Sequence, residues 1–285
     1  MDLKIIQERL NTYQCKTYEE EENALKEITQ EIALLALSRV SFFKVAEFHG
    51  GTALRILYDL QRFSEDLDFA LLQPDKQFNF DYYLDKMIKE FYSFGYTIEI
   101  KNRSQVDETV KKAFLKDNSI GKLLSLSYPL HDKNARKIRI KLEIDTNPPA
   151  GASTELKYLD FPLHFSILAK DMPSSFSGKI HALLCRDYIK GRDWYDFLWY
   201  VARKTNINFK LLENSINQNG PWAQQKLTID KDWLIDHLHK KIKAINWVTA
   251  KQDISRFTKP IDKKSLALWS TEFFLDRLEK LSGYC

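Results

Sequence analysis

The chain has 285 residues, enough to bury a full core in one or two domains. With 44% hydrophobic and 29% charged residues it has the balance of an ordinary globular protein, and it carries no internal repeat or low-complexity segment. A net charge of +4 permits a nucleic-acid partner without demanding one. The three cysteines, Cys15, Cys185 and Cys285, are far apart and odd in number, so they read as reduced thiols without metal-ligand spacing. The charged start MDLKIIQERL does not read as a signal peptide, and no apolar run approaches membrane-spanning length. A cytoplasmic protein with no membrane partner is expected.

Residues 1 to about 40 read as helical. The acidic run Glu19–Glu22 suits a solvated helix start, and Ile28, Ile32, Leu34, Leu35, Leu37 and Val40 supply a buried face. A short strand over 44–49 then runs into Gly50-Gly51-Thr52. Glycines allow a sharp turn and a close approach to a ligand, and threonine suits a helix start, where its hydroxyl can cap the helix or meet a phosphate. Ala53, Leu54, Ile56, Leu57 and Leu60 continue at helical spacing. The amides and dipole at such a helix start favour an anion.

Fourteen residues after Thr52 comes Asp66-Leu67-Asp68-Phe69. On a strand, period two puts both aspartates on one face and Leu67 and Phe69 on the other. Adjacent carboxylates repel unless a cation sits between them, and hard oxygen donors suit Mg²⁺ held jointly with substrate phosphates. A lone Gly-Gly would be only a turn, and a lone Asp-x-Asp only a solvated strand edge. The order strand, glycine turn, helix, acidic strand is what points to nucleoside triphosphate chemistry.

Further along, 81–94 reads as a helix through Tyr82, Leu84, Met87, Ile88 and Phe91, with strands expected at Tyr96–Lys101, Lys122–Tyr128 and Arg136–Asp145. In the last, Ile138, Ile140, Leu142 and Ile144 share one face, and Arg139, Lys141, Glu143 and Asp145 the other. Beside the acidic strand this row would bring a third carboxylate, as a metal ligand or as the base for an attacking hydroxyl. Glu143, mid-strand, is preferred and Asp145 is the second choice. The competing account is an amphipathic strand with a charged solvent face. Pro148 and Pro149 stop the strand, and a turn-rich linker runs to about Gly178.

From Lys179 the pattern is helical. Lys179 and Arg186 lie seven apart on one face, and after a turn at Lys190-Gly191 a second helix carries Asp193 and Asp196 as near neighbours. The cations suit a triphosphate and its leaving pyrophosphate, Asp193 and Asp196 are candidate active-site residues, and salt bridges between two helices are the alternative. Between Lys231 and Lys264, nine Lys/Arg stand against four Asp, with Trp222, Trp233 and Trp247 interleaved nearby. That composition suits RNA contact and, equally, a solvated helix with core tryptophans.

Taken together, Gly50-Gly51-Thr52, the string Arg62-Phe63-Ser64-Glu65-Asp66-Leu67-Asp68-Phe69, the strand Lys141-Leu142-Glu143-Ile144, and Lys179 through Arg186 to Arg192-Asp193 and Asp196 resemble the AbiEii/AbiGii toxin family of nucleotidyl transferases. Gly-Thr stands where the wider superfamily prefers Gly-Ser. The resemblance implies an α/β (α+β) fold, a nucleotidyl transferase-type mixed sheet flanked by helices with a helical C-terminal domain, divided here as 1–165 and 166–285. It implies a bacterial toxin of a toxin–antitoxin or phage-abortive system that uses Mg²⁺ and a nucleoside triphosphate, with tRNA or another RNA as acceptor and a cognate antitoxin as partner. Asp66, Asp68 and Glu143 would hold metal. Gly50, Gly51, Thr52, Lys179 and Arg186 would hold nucleotide, Arg62 is a candidate phosphate contact, and Ser64 is a nucleotide contact or a brace of its loop. Transfer to a protein or antibiotic hydroxyl, and a non-catalytic nucleotide- or RNA-binding module, are the alternatives.

Overall fold

The computed structural model describes residues 3–103, 109–117, 119, 124–128, 138–258 and 262–285. The chain forms two compact units. Met1–Asp59, Phe63–Pro148 and Glu155–Ala169 make the first, and Leu60–Arg62, Pro149–Thr154 and Lys170–Cys285 the second.

In the first unit, α1 (Leu3–Thr12) and α2 (Tyr18–Arg39) precede β1 (Ala46–His49), α3 (Gly50–Tyr58), β2 (Asp66–Leu71), α4 (Phe80–Ser93), β3 (Ile98–Asn102), β4 (Val110–Asp117), β5 (Ile138–Asp145), β6 (Thr154–Leu159) and β7 (Phe165–Lys170). The Thr17 hydroxyl caps α2 by accepting from the Glu20 amide. The acidic run at this helix start is not wholly solvated: Glu21 is buried and accepts from the Ser127 and Tyr128 amides. Those bonds belong to an irregular segment. Residues 124–128 are not the expected strand, and Lys122 and Leu123 lie outside the described residues, as do Arg136 and Lys137 at the start of the other.

The seven strands form one sheet in the order β3-β4-β5-β2-β1-β7-β6. β1 and β2 run antiparallel, as do β3 with β4 and β4 with β5, while β2 lies parallel to β5 and β1 to β7. β4, β6 and β7 were not expected from the sequence, and the stretch read as a linker holds β6, β7 and the start of the next helix. One face of the sheet presents Leu67, Phe69, Ile138, Ile140, Leu142 and Ile144 to the core that α1, α2 and α4 share. Strand periodicity therefore turns Asp66, Asp68, Lys141 and Glu143 to the opposite face.

In the second unit, α5 (Met172–Cys185), α6 (Gly191–Ala202), α7 (Phe209–Gln218), α8 (Lys231–Ala244), α9 (Trp247–Ser255) and α10 (Thr271–Ser282) follow one another. Asp171, Asn208, Asp230, Asn246 and Ser270 cap α5, α7, α8, α9 and α10 with side-chain acceptors. The core is aromatic. Trp247 stacks on Phe274 at 4.0 Å, and Trp194 meets both rings edge-on. Gly191 faces the Ala250 carbonyl so closely that any side chain there would collide with it, which sets the contact of α6 with α9. Among the described residues no helix is long and apolar enough to cross a membrane.

Candidate active site

β1 ends at His49 in extended conformation, and Gly50 opens α3 at φ +82°. A Cβ at Gly50 would run into the Asp68 carboxylate. Glycine is thus required twice, by the backbone angle and by the nearness of that carboxylate. The Asp68 carboxylate consequently rests against the first turn of α3, where the helix dipole favours negative charge. Thr52 is fully buried and its hydroxyl donates to the backbone carbonyl of Asp66. The hydroxyl does not cap α3, whose N-cap is His49. It pins the start of α3 to the start of β2.

The parallel register of β2 with β5 sets Asp66 beside Lys141, Asp68 beside Glu143, and Ala70 beside Asp145. On the other flank of β2, His49 pairs with Asp68. Glu143 is therefore next to the aspartate pair on the same face. Asp145 is one step further, where its Oδ1 accepts from the Asn147 amide at 2.9 Å. Lys141 Nζ lies 2.8 Å from Glu143 Oε1. Partial burial works against the ammonium, but Glu143, Asp66 and Asp68 outweigh it and hold the Lys141 pKa above its ordinary value. Lys141, His49 and Lys112, which β4 sets beside Glu143, are neighbours that sequence reasoning did not assign to the site. For Lys141 the signal was present, as the residue alternating with Glu143.

Among the described residues, no three His, Cys, Asp or Glu side chains come together as a metal cage. Two same-face carboxylates in an oxygen-rich setting nevertheless fit a hard divalent cation of the Mg²⁺ type, which takes one or two protein carboxylates and completes its shell with water and phosphate oxygens. Ser64, in the loop before β2, accepts from the Gln30 side chain through its backbone carbonyl at 3.1 Å, so this loop is tied to α2.

The remaining candidates meet in the second unit. Arg62 is buried and its guanidinium grips Asp196 with two bonds of 2.7 Å, Nε to Oδ1 and Nη2 to Oδ2. In this structure its fork is engaged by a carboxylate. Lys179 Nζ lies 2.6 Å from Asp193 Oδ1 and 2.8 Å from Asp196 Oδ2, and Arg186 pairs with Asp193. Burial alone would raise both aspartate carboxyls. Lys179 and Arg186 hold Asp193 down at about 2, and Arg62 and Lys179 hold Asp196 below its usual range. The salt-bridge alternative for these helices describes the contacts seen, and the five side chains form one network.

The basic C-terminal stretch resolves into distinct roles. Lys241 donates to the carbonyls of Leu184 and Arg186 and so closes the C-terminal end of α5. Trp247 is a core residue whose Nε1 donates to Thr271. Trp222, Trp233 and His237 instead form a half-buried ring cluster, with Trp233 and His237 stacked at 3.8 Å. Lys259 lies outside the described residues.

Comparison with known proteins places this geometry in a family. No curated protein matches the chain. Among solved structures, JHP933 from Helicobacter pylori is similar at 17% identity and a TM-score of 0.51, covering 92% of this chain and 91% of its own. A further H. pylori chain assigned as a nucleotidyltransferase matches at 16% identity and TM-score 0.49, over 89% of this chain and 90% of that one. The likeness to JHP933 establishes a shared fold. Residues 32–277 match the family model described as nucleotidyl transferase AbiEii toxin, type IV TA system, and with most of its length matched the chain belongs to the AbiEii family of nucleotidyltransferase toxins.

Proposed function

We propose that this protein is a Mg²⁺-dependent nucleotidyltransferase that moves a nucleotide from a nucleoside triphosphate to a hydroxyl of RNA, tRNA foremost, in the cytoplasm under the restraint of a cognate antitoxin. The observation that supports it most directly is the β2–β5 register. It sets Glu143 beside Asp68 while Gly50 admits the Asp68 carboxylate to the start of α3. Asp66 and Asp68 would hold the metal, with Glu143 as third carboxylate. The metal, when bound, supplies positive charge to the triphosphate. The chain supplies the rest. Amides at Gly50 and Gly51 receive phosphate oxygens, and Thr52 fixes that turn against the acidic strand. Glu143 accepts the proton of the attacking hydroxyl. Lys179 and Arg186, ion-paired with Asp193 and Asp196, are the cations this reading assigns to the triphosphate and to the pyrophosphate that leaves. Arg62 braces Asp196 from behind.

The test is incubation of purified protein with total RNA, Mg²⁺ and each labelled nucleoside triphosphate in turn, with Asp68→Asn as the blank. Label from at least one triphosphate should enter an RNA band with the wild type and not with the variant. Label in a protein band would move the acceptor to a protein hydroxyl. Equal labelling by Asp68→Asn would sink the assignment.

A further inference from the structure

On one face of the sheet Asp66, Asp68, Lys141 and Glu143 make a two-by-two array on β2 and β5, and Lys112 of β4 stands in register beside Glu143. Asp66 stands beside Lys141 and Asp68 beside Glu143. Lys141 Nζ is 2.8 Å from Glu143 Oε1, with the two side chains only 30% and 24% exposed. A lysine head is a compact point charge tethered to the chain. Three carboxylates with the ammoniums of Lys141 and Lys112 leave a net charge of −1, which a single divalent cation already outweighs.

We propose that Lys141 is a built-in substitute for a second metal ion, so that the acidic face takes one divalent cation rather than two. Two-metal sites hold their ions about 3.5–4 Å apart, bridged by shared oxygens. Here the third carboxylate already has its cation. A second metal would have to displace the Lys141 ammonium from Glu143 and then sit beside it, against the repulsion of like charge. Lys141 acts as a positioning residue, fixing Glu143 and setting the metal count. The inference rests on the reading that Asp66 and Asp68 hold metal.

The experiment is electron paramagnetic resonance of metal-free protein titrated with Mn²⁺ alone. Bound ions are counted from the loss of free Mn²⁺ signal, and a spin-coupled spectrum reports two ions at close range. The wild type and Lys141→Arg should bind one ion with an uncoupled spectrum. Lys141→Met, shown folded by its melt, should bind two with the coupled spectrum. Asp68→Asn should lose the ion. A coupled pair in the wild type overturns the inference and leaves the Asp66/Asp68 metal reading intact, as does a single ion in folded Lys141→Met. No Mn²⁺ bound to the wild type overturns both. If Lys141→Met does not fold, the wild-type and Lys141→Arg spectra decide, because a coupled pair in either is incompatible with Lys141 as the second cation.

Discussion

An alanine at Gly50 would place a methyl group where the Asp68 carboxylate already lies, at a backbone angle that L side chains avoid. The left-handed angle costs about 1–2 kcal/mol and the overpacking about 1–3 kcal/mol. Gly50→Ala should therefore lose roughly 2–5 kcal/mol in denaturant unfolding, and its nucleotide transfer should fall with it. Unchanged stability would mean that Asp68 does not rest against this turn. The need for glycine here was legible in the sequence, as were the paired aspartates, because both follow from local chemistry and strand period. The partner of Thr52 was not. Its hydroxyl answers to a carbonyl fourteen positions away, and nothing in the intervening residues names that acceptor. Arg62 is the stronger case: its charge suggested phosphate, but Asp196 claims it across 134 residues.

The meeting of α5 and α6 is governed by the buried carboxylates Asp193 and Asp196 and the half-buried cations Lys179 and Arg186. Asp193 titrates at about 2 in the fold, against an ordinary value of 3.8. The folded state thus binds the proton more weakly than the unfolded chain. The pairing contributes fully above about pH 4 and is lost as pH falls toward 2, a change of about 2 kcal/mol. Melting temperatures of the wild type and Asp193→Asn should converge over that interval, and a gap that stays constant from pH 5 to pH 2 would remove Asp193 from the network. Elements with a clean apolar period, such as β5 and α4, were evident from sequence. β6 was not, because it lies at the end of the sheet and none of its six side chains is buried. Its half-buried face carries Glu155, Lys157 and Leu159 while Leu156 and Tyr158 are exposed, so its alternation does not mark a core face.

Across the whole molecule, the net charge of +4 and the ring cluster of Trp222, Trp233 and His237 bear on the acceptor. If α8 meets RNA, binding should weaken steeply with salt, because each neutralised phosphate releases counterions. Lys231, Lys240 and Lys243 are the residues to reverse together to Glu, since Lys241 closes α5 and its loss would confound folding with binding. The triple variant should bind RNA more weakly and with a shallower salt slope while its triphosphate dependence stays near wild type. Equal affinity and equal slope would clear α8 of any acceptor role. The 134-residue span from Arg62 to Asp196 also has a consequence in time. Synthesis proceeds at about 5–20 residues per second, so roughly ten seconds pass on the ribosome between the two. Throughout that interval the growing chain already carries Asp66 and Asp68, and later Glu143, but not the carboxylate that Arg62 is to grip. A prematurely released fragment ending before Asp196 would hold every acidic residue of β2 and β5 without the carboxylate that Arg62 grips, so this contact waits until Asp196 has been made.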